Sequence, residues 1–150
     1  GPISDEKSKA LLKEALMLPN MTYHGVLNRA DVVRMYQRCA VALLLFHPVP
    51  NHVEAVPNKL FEYMAAQLPI LASDFNSWKP LFQDNQVGMQ VDPLNTEAIA
   101  DALTLLLAEA SVGLRDAMGK RGLQLIENVY NWESEQQKLV QFYNAVVNEV

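Results

Sequence analysis

Apolar and polar positions along the chain follow two periods, one helical and one extended. Leu11, Leu12, Ala15 and Leu16 recur at helical spacing and predict a helix over 4–17. Ser4 is its expected N-cap, with Asp5 and Glu6 in the first turn, where the helix dipole favours negative charge, and Pro19-Asn20 ends it. Residues 21–24 predict a short strand and 25–28 a turn, with Asn28 capping a helix over 29–39. Residues 41–46 read VALLLF, apolar on both faces, as a central parallel strand requires. Two prolines make 47–51 a loop. A helix over 58–67 carries Leu60, Phe61, Met64 and Ala65 on its apolar side, and a strand over 69–73 (PILAS) follows. A short helix over 78–83 and a strand over 87–91 come next. Asn95 or Thr96 caps a helix to about residue 110, with Leu103, Leu106 and Leu107 as its core stripe. Helices over 113–128 and 132–149 complete the chain; Gly119 and Gly122 weaken the first by up to about 1 kcal/mol each.

Helices thus alternate with strands of the buried type. That pattern predicts an α/β fold, a Rossmann-like parallel sheet with helices on both faces and right-handed crossovers. Ligands of such sheets lie beyond the carboxyl ends of the strands, which directs attention to the loops after residues 24, 46, 73 and 91. The chain opens on a helix where a doubly wound half opens on a strand, so its first strands are expected to be missing.

Composition narrows the function. The 150 residues fit one domain, 1–150, or one half of a two-domain protein. Half the residues are hydrophobic and 19% are charged, which excludes global disorder. Twelve Lys and Arg against 17 Asp and Glu give a net charge of −5, which argues against a nucleic-acid partner. A single cysteine, Cys39, excludes an internal disulfide and any multi-cysteine metal site and fits a reducing, cytoplasmic compartment. The longest apolar run is eight residues, Cys39 to Phe46, against about 20 for a membrane helix. No signal-peptide pattern opens the chain, and Gly1-Pro2 reads as a tag scar or as native turn residues.

The chemistry concentrates after the VALLLF strand. Glu54 and Glu62 are eight positions apart, a spacing that Glu6/Glu14 and Glu127/Glu135 repeat. Only the first pair straddles the passage from a central strand into a helix, where both carboxylates can face one crevice. A helix start offers free N–H groups and a positive dipole end to phosphate. Pro57 suits that position because it has no N–H to lose, Lys59 adds a cation, and the amides of Asn58, Lys59 and Leu60 can face an anion. A carboxylate accepts two hydrogen bonds from a vicinal diol, so Glu62 suits a ribose and Glu54 the hydroxyls of a sugar. A solvated helix start, with Glu62 merely favouring the dipole, fits the same residues.

The stretch E-A-V-P-N-K-L-F-E-Y-M-A-A-Q-L-P-I-L-A-S-D, residues 54–74, resembles the donor-binding motif of family 4 retaining glycosyltransferases, whose GT-B fold has two Rossmann-like halves. His24-Gly25-Val26, the segment from Val87 to Ile99, and the segment from Met118 to Glu133 are similar to further stretches of the family's C-terminal half. The resemblance implies that Glu54 binds the transferred sugar near the reacting carbon and Glu62 the ribose hydroxyls. It implies that Pro57, Asn58 and Lys59 approach sugar and phosphate, and that backbone groups at Gly25 and Val26 meet the base. Apart from the resemblance, the position of His47 at the end of the expected central strand predicts that it lines the sugar site. The donor is then a UDP- or GDP-linked sugar and the reaction a retaining transfer to a glycan or lipid-linked acceptor, as in polysaccharide biosynthesis. The leaving diphosphate assists on the same face of the sugar, with no metal or other cofactor. An N-terminal acceptor-binding domain and a basic Arg/Lys pair complete that enzyme, which can associate peripherally with membranes. This chain alone is then inactive. Gln67 stands where the family has a glycine closing the helix in a left-handed conformation, at a cost of about 1 kcal/mol. The rival readings are a non-catalytic flavodoxin-like interaction module and another GT-B enzyme such as a nucleotide-sugar epimerase.

Other residues carry structural expectations. His47, His52 and Glu54 (H-x4-H-x-E) read as loop surface rather than metal ligands. Asp74 and Asn76 read as turn residues, Trp78 and Trp132 as packing anchors, and Cys39 as a buried small hydrophobe.

Overall fold

The structure, a computed structural model, describes residues 3–148; Gly1-Pro2 and the end of the helix expected to reach residue 149 lie outside them. The chain divides into two compact units, one ending at Gln37 and the other beginning at Arg38.

The first unit holds α1 (Glu6–Ala15) and α2 (Arg29–Tyr36). Asp5, not Ser4, caps α1: its Oδ1 accepts the Ser8 N–H at 2.8 Å. Hydrogen bonds from the Ser8 hydroxyl and, next, from its N–H hold the Asp5 carboxyl below its ordinary pKa. Asn28 caps α2 as predicted, accepting from the Asp31 N–H at 2.9 Å. The strand expected over 21–24 does not form. All four of its residues are exposed, so no face of it meets a core, and the segment has no regular structure.

The second unit is built on a parallel sheet of β1 (Ala42–Leu44), β2 (Ile70–Ser73) and β3 (Gly88–Val91), in that order. The three strands are consecutive neighbours, and the segment expected as a strand over 21–24 is not among them. VALLLF is also not the central strand. As β1 it is an edge, and its middle residue, Leu43, is 47% exposed. The central strand is β2, buried on both faces. Alternation along it supplies two cores. Ile70 and Ala72 pack with Leu44, Leu60, Met64 and Trp78, whereas Leu71 packs with Ala102, Leu106 and Met118.

Between β1 and β2 lie a four-residue α3 (Pro50–Val53) and α4 (Asn58–Ala65). Between β2 and β3 the chain makes a 3-10 turn (Asn76–Trp78) and a π turn (Pro80–Asp84). Right-handed crossovers between consecutive parallel strands fall on one face, and α4 and both turns indeed share one core cluster. α5 (Thr96–Leu107), capped by Asn95, packs on the other face. A second 3-10 turn (Glu109–Ser111) leads into α6 (Val112–Asn128), and α7 (Trp132–Asn148) follows.

Gly119 and Gly122 are buried where α6 crosses α4. A Cβ on Gly119 would collide with the Gln67 carbonyl, and one on Gly122 would press on Met64 at 3.2 Å. Their helix-weakening effect accompanies a close approach between backbones. Trp132 and Cys39, expected inside, are exposed. Cys39 follows the turn that ends α2, and Trp132 opens a helix in which none of the residues with described burial is buried.

Candidate functional site

β1 ends in a corner that the β2–β3 connection holds in place. The Phe46 N–H donates to Ser73 Oγ at 2.8 Å, and the same hydroxyl donates to the Phe46 carbonyl at 3.0 Å. One buried serine thereby extends the β1–β2 pairing past the end of the strand. His47 follows, exposed, with its carbonyl 3.0 Å from His52 Nδ1. The ring of His52 lies 4.8 Å from that of Phe46. The loop predicted over 47–51 then turns into α3, because Pro50 occupies a first-turn position where a missing N–H costs nothing.

Glu54 closes α3, with its side chain exposed and its N–H donating to the Pro50 carbonyl at 3.3 Å. The carbonyls on either side of it are both engaged. Val53 accepts from Ser77 Oγ at 2.5 Å and Ala55 from Trp78 Nε1 at 2.7 Å. Trp78 is a packing anchor as expected, fully buried, and a buried indole N–H needs an acceptor. That rule was the signal available for this contact. Nothing in the sequence marked Ser73 or Ser77, whose partners lie 27 and 24 positions away.

α4 begins at Asn58 with Pro57 as its N-cap, and no side chain caps it. The Leu60 amide does not face outward as expected. It donates to the Pro57 carbonyl at 3.0 Å, which leaves Asn58 and Lys59 to supply the first amides. Leu60 and Met64 bury one face of the helix. Asn58, Lys59 and Glu62 lie on the exposed side, with Glu62 one turn above Asn58. Burial pushes the neighbouring Tyr63 phenol above its ordinary pKa, and the charges of Glu62 and Cys39 push it further. Gly25 and Val26 belong to the first unit, where Gly25 takes φ +66° and Val26 is exposed. Among the described residues no three His, Cys, Asp or Glu side chains form a group able to hold a metal ion. A separate cleft lined by Asp84, Arg121, Gln124 and Asn128 includes none of the predicted site residues.

A three-stranded parallel sheet with helices on both faces defines a Rossmann-like α/β half. The chain belongs to the glycosyl transferases group 1 family, whose profile matches residues 2–125. It is 31% identical over 87 residues, 58% of its length, to a phosphatidyl-myo-inositol mannosyltransferase of Mycobacterium leprae (strain TN) and spans 22% of that protein. In fold it resembles sucrose-phosphate synthase from Thermosynechococcus elongatus, with a TM-score of 0.77 at 22% identity. That match covers 96% of this chain and 34% of the synthase. Among the described residues no helix is long and apolar enough to cross a membrane.

Proposed function

We propose that this chain is the donor-binding, C-terminal half of a retaining glycosyltransferase that takes a UDP- or GDP-linked sugar. The observation that carries the proposal is the start of α4. It has no side-chain cap, and Asn58, Lys59 and Glu62 are exposed along it immediately after a loop that presents Glu54. An uncapped helix start attracts a diphosphate through its amides and dipole. Lys59 adds a positive charge beside it. Glu62, one turn along, holds the ribose diol, and Glu54 and His47 meet the sugar. Transfer proceeds on the face of the sugar that the diphosphate leaves, so the protein's share is positioning and charge stabilisation. Lys59 and the amides of Asn58 and Lys59 supply that charge without a metal ion.

The acceptor, a glycan or a lipid-linked acceptor, is held by an N-terminal half of the full-length enzyme. The name of the mycobacterial relative, a phosphatidyl-myo-inositol mannosyltransferase, favours the lipid-linked class. The test is titration of UDP and GDP into the full-length protein by calorimetry. Glu62→Ala is expected to weaken the preferred nucleotide by about 1–3 kcal/mol, the scale of hydrogen bonds to a charged group. An unchanged affinity removes Glu62 from the site. No binding of either nucleotide by the folded full-length protein favours the non-catalytic module instead.

A further inference from the structure

We infer that Ser77 and Trp78 are positioning residues that set the direction of Glu54; the inference rests on the sugar-binding role proposed for that carboxylate. Glu54 lies in a loop with little support of its own. α3 has four residues and no side-chain cap, and residues 54–56 are exposed. Its backbone is instead clamped at two points, one on each side. Ser77 Oγ donates to the Val53 carbonyl at 2.5 Å and Trp78 Nε1 to the Ala55 carbonyl at 2.7 Å. The first bond holds the peptide plane that enters Glu54 and the second the plane one residue beyond it, so the short stretch carrying its Cα–Cβ bond is held at both ends.

The clamp is itself anchored. Trp78 is fully buried in the larger core, and Gln90 of β3 donates to the Ser73 and Phe75 carbonyls at 3.1 and 3.3 Å. The rigid sheet therefore reaches Glu54 through Gln90, then the 73–78 corner, then two hydrogen bonds. Ser77 separates this role from mere satisfaction of buried polar groups. It is exposed, so water could serve its hydroxyl, yet the hydroxyl is turned onto the Glu54 loop. A small misplacement of a group at the reacting centre can cost about 100-fold in rate.

The experiment uses the full-length enzyme, with UDP-glucose and GDP-mannose as donors and donor consumption as the readout. Ser77→Ala is expected to lower kcat by about 5-fold or more, the scale of one lost hydrogen bond. The donor KM stays within about 2-fold, because the start of α4 and Glu62 are untouched, and the melting temperature does not change. Ser77→Thr, which keeps the hydroxyl, restores the rate. Trp78→Phe, which keeps an aromatic side chain but loses the N–H with the pyrrole ring, lowers kcat in the same way; should it fold poorly, the serine variants decide alone. Both losses disappear in a Glu54→Gln background, where there is no carboxylate left to aim. If Glu54→Gln is inactive while Ser77→Ala keeps its kcat, the positioning role is overturned and the reading of Glu54 stands. Full activity of Glu54→Gln overturns both.

Discussion

Gln67 shows how much one residue can reveal. The family-like stretch places a glycine where this chain has glutamine, and the structure puts Gln67 at φ +56°, the left-handed conformation that ends α4. A side chain there is strained, and a glycine is not. Gln67→Gly is therefore expected to raise stability by about 0.5–1 kcal/mol, the strain relieved being partly offset by the freedom glycine gains in the unfolded chain. A urea unfolding midpoint that does not rise would contradict this. Tyr63 gives a second residue-scale prediction. Its raised pKa means that the native state holds the phenolic proton more tightly than the unfolded chain does. The stability from this linkage is complete below the ordinary value of 10.0 and is lost as pH rises beyond it. Urea midpoints measured up to about pH 11 should fall more steeply for the native sequence than for Tyr63→Phe, and parallel curves would exclude the linkage. Burial was less legible at this scale. Cys39 and Trp132 are apolar side chains that usually lie inside, and both are exposed, because their positions follow from where the neighbouring helix stops or starts.

At the scale of elements, hydrophobic period located six of the seven helices and all three strands among the described residues, with ends displaced by a few residues. The misses have two causes. α3 hides behind prolines that read as loop until the first of them proves to sit in a helical turn. The 21–24 segment has a strand-like composition, but a strand exists only through a partner, which local pattern does not report. The same limit applies to the candidate site. The order of Glu54, Pro57, Lys59 and Glu62 along the corner is local and could be read. The Ser73, Ser77 and Trp78 contacts join distant segments and could not. The two buried glycines of α6 make the point testable. Gly119→Ala drives a Cβ into the Gln67 carbonyl and should cost about 1–3 kcal/mol, more than the helix propensity that alanine gains. Gly113→Ala, in the same helix, meets no atom within 4 Å and should stabilise by up to about 1 kcal/mol. Similar melting temperatures for the two variants would show that α4 and α6 do not need this close approach.

The molecule as a whole distributes its stability unevenly. Every buried apolar side chain among the described residues falls between Ala42 and Met118, in the second unit, and neither α1 nor α2 buries a residue. Those two helices have 10 and 8 residues, whereas isolated helices below about 12–15 residues are marginal in water. A unit of that size without a core of its own cannot offset the conformational entropy of ordering its chain. A peptide of residues 3–37 is therefore expected to show little helical circular dichroism. A chain of residues 38–148 should melt in one cooperative transition, because both core clusters are complete within it. In the intact chain, hydrogen exchange should be slowest at β2, which is buried on both faces, and faster by orders of magnitude across α1 and α2. The corner that carries Glu54 and Glu62 would then rest on the stable part of the molecule. A helical 3–37 peptide, or loss of the cooperative transition on removing it, would mean that the fold draws its stability from more than the three-stranded sheet and the helices packed on it.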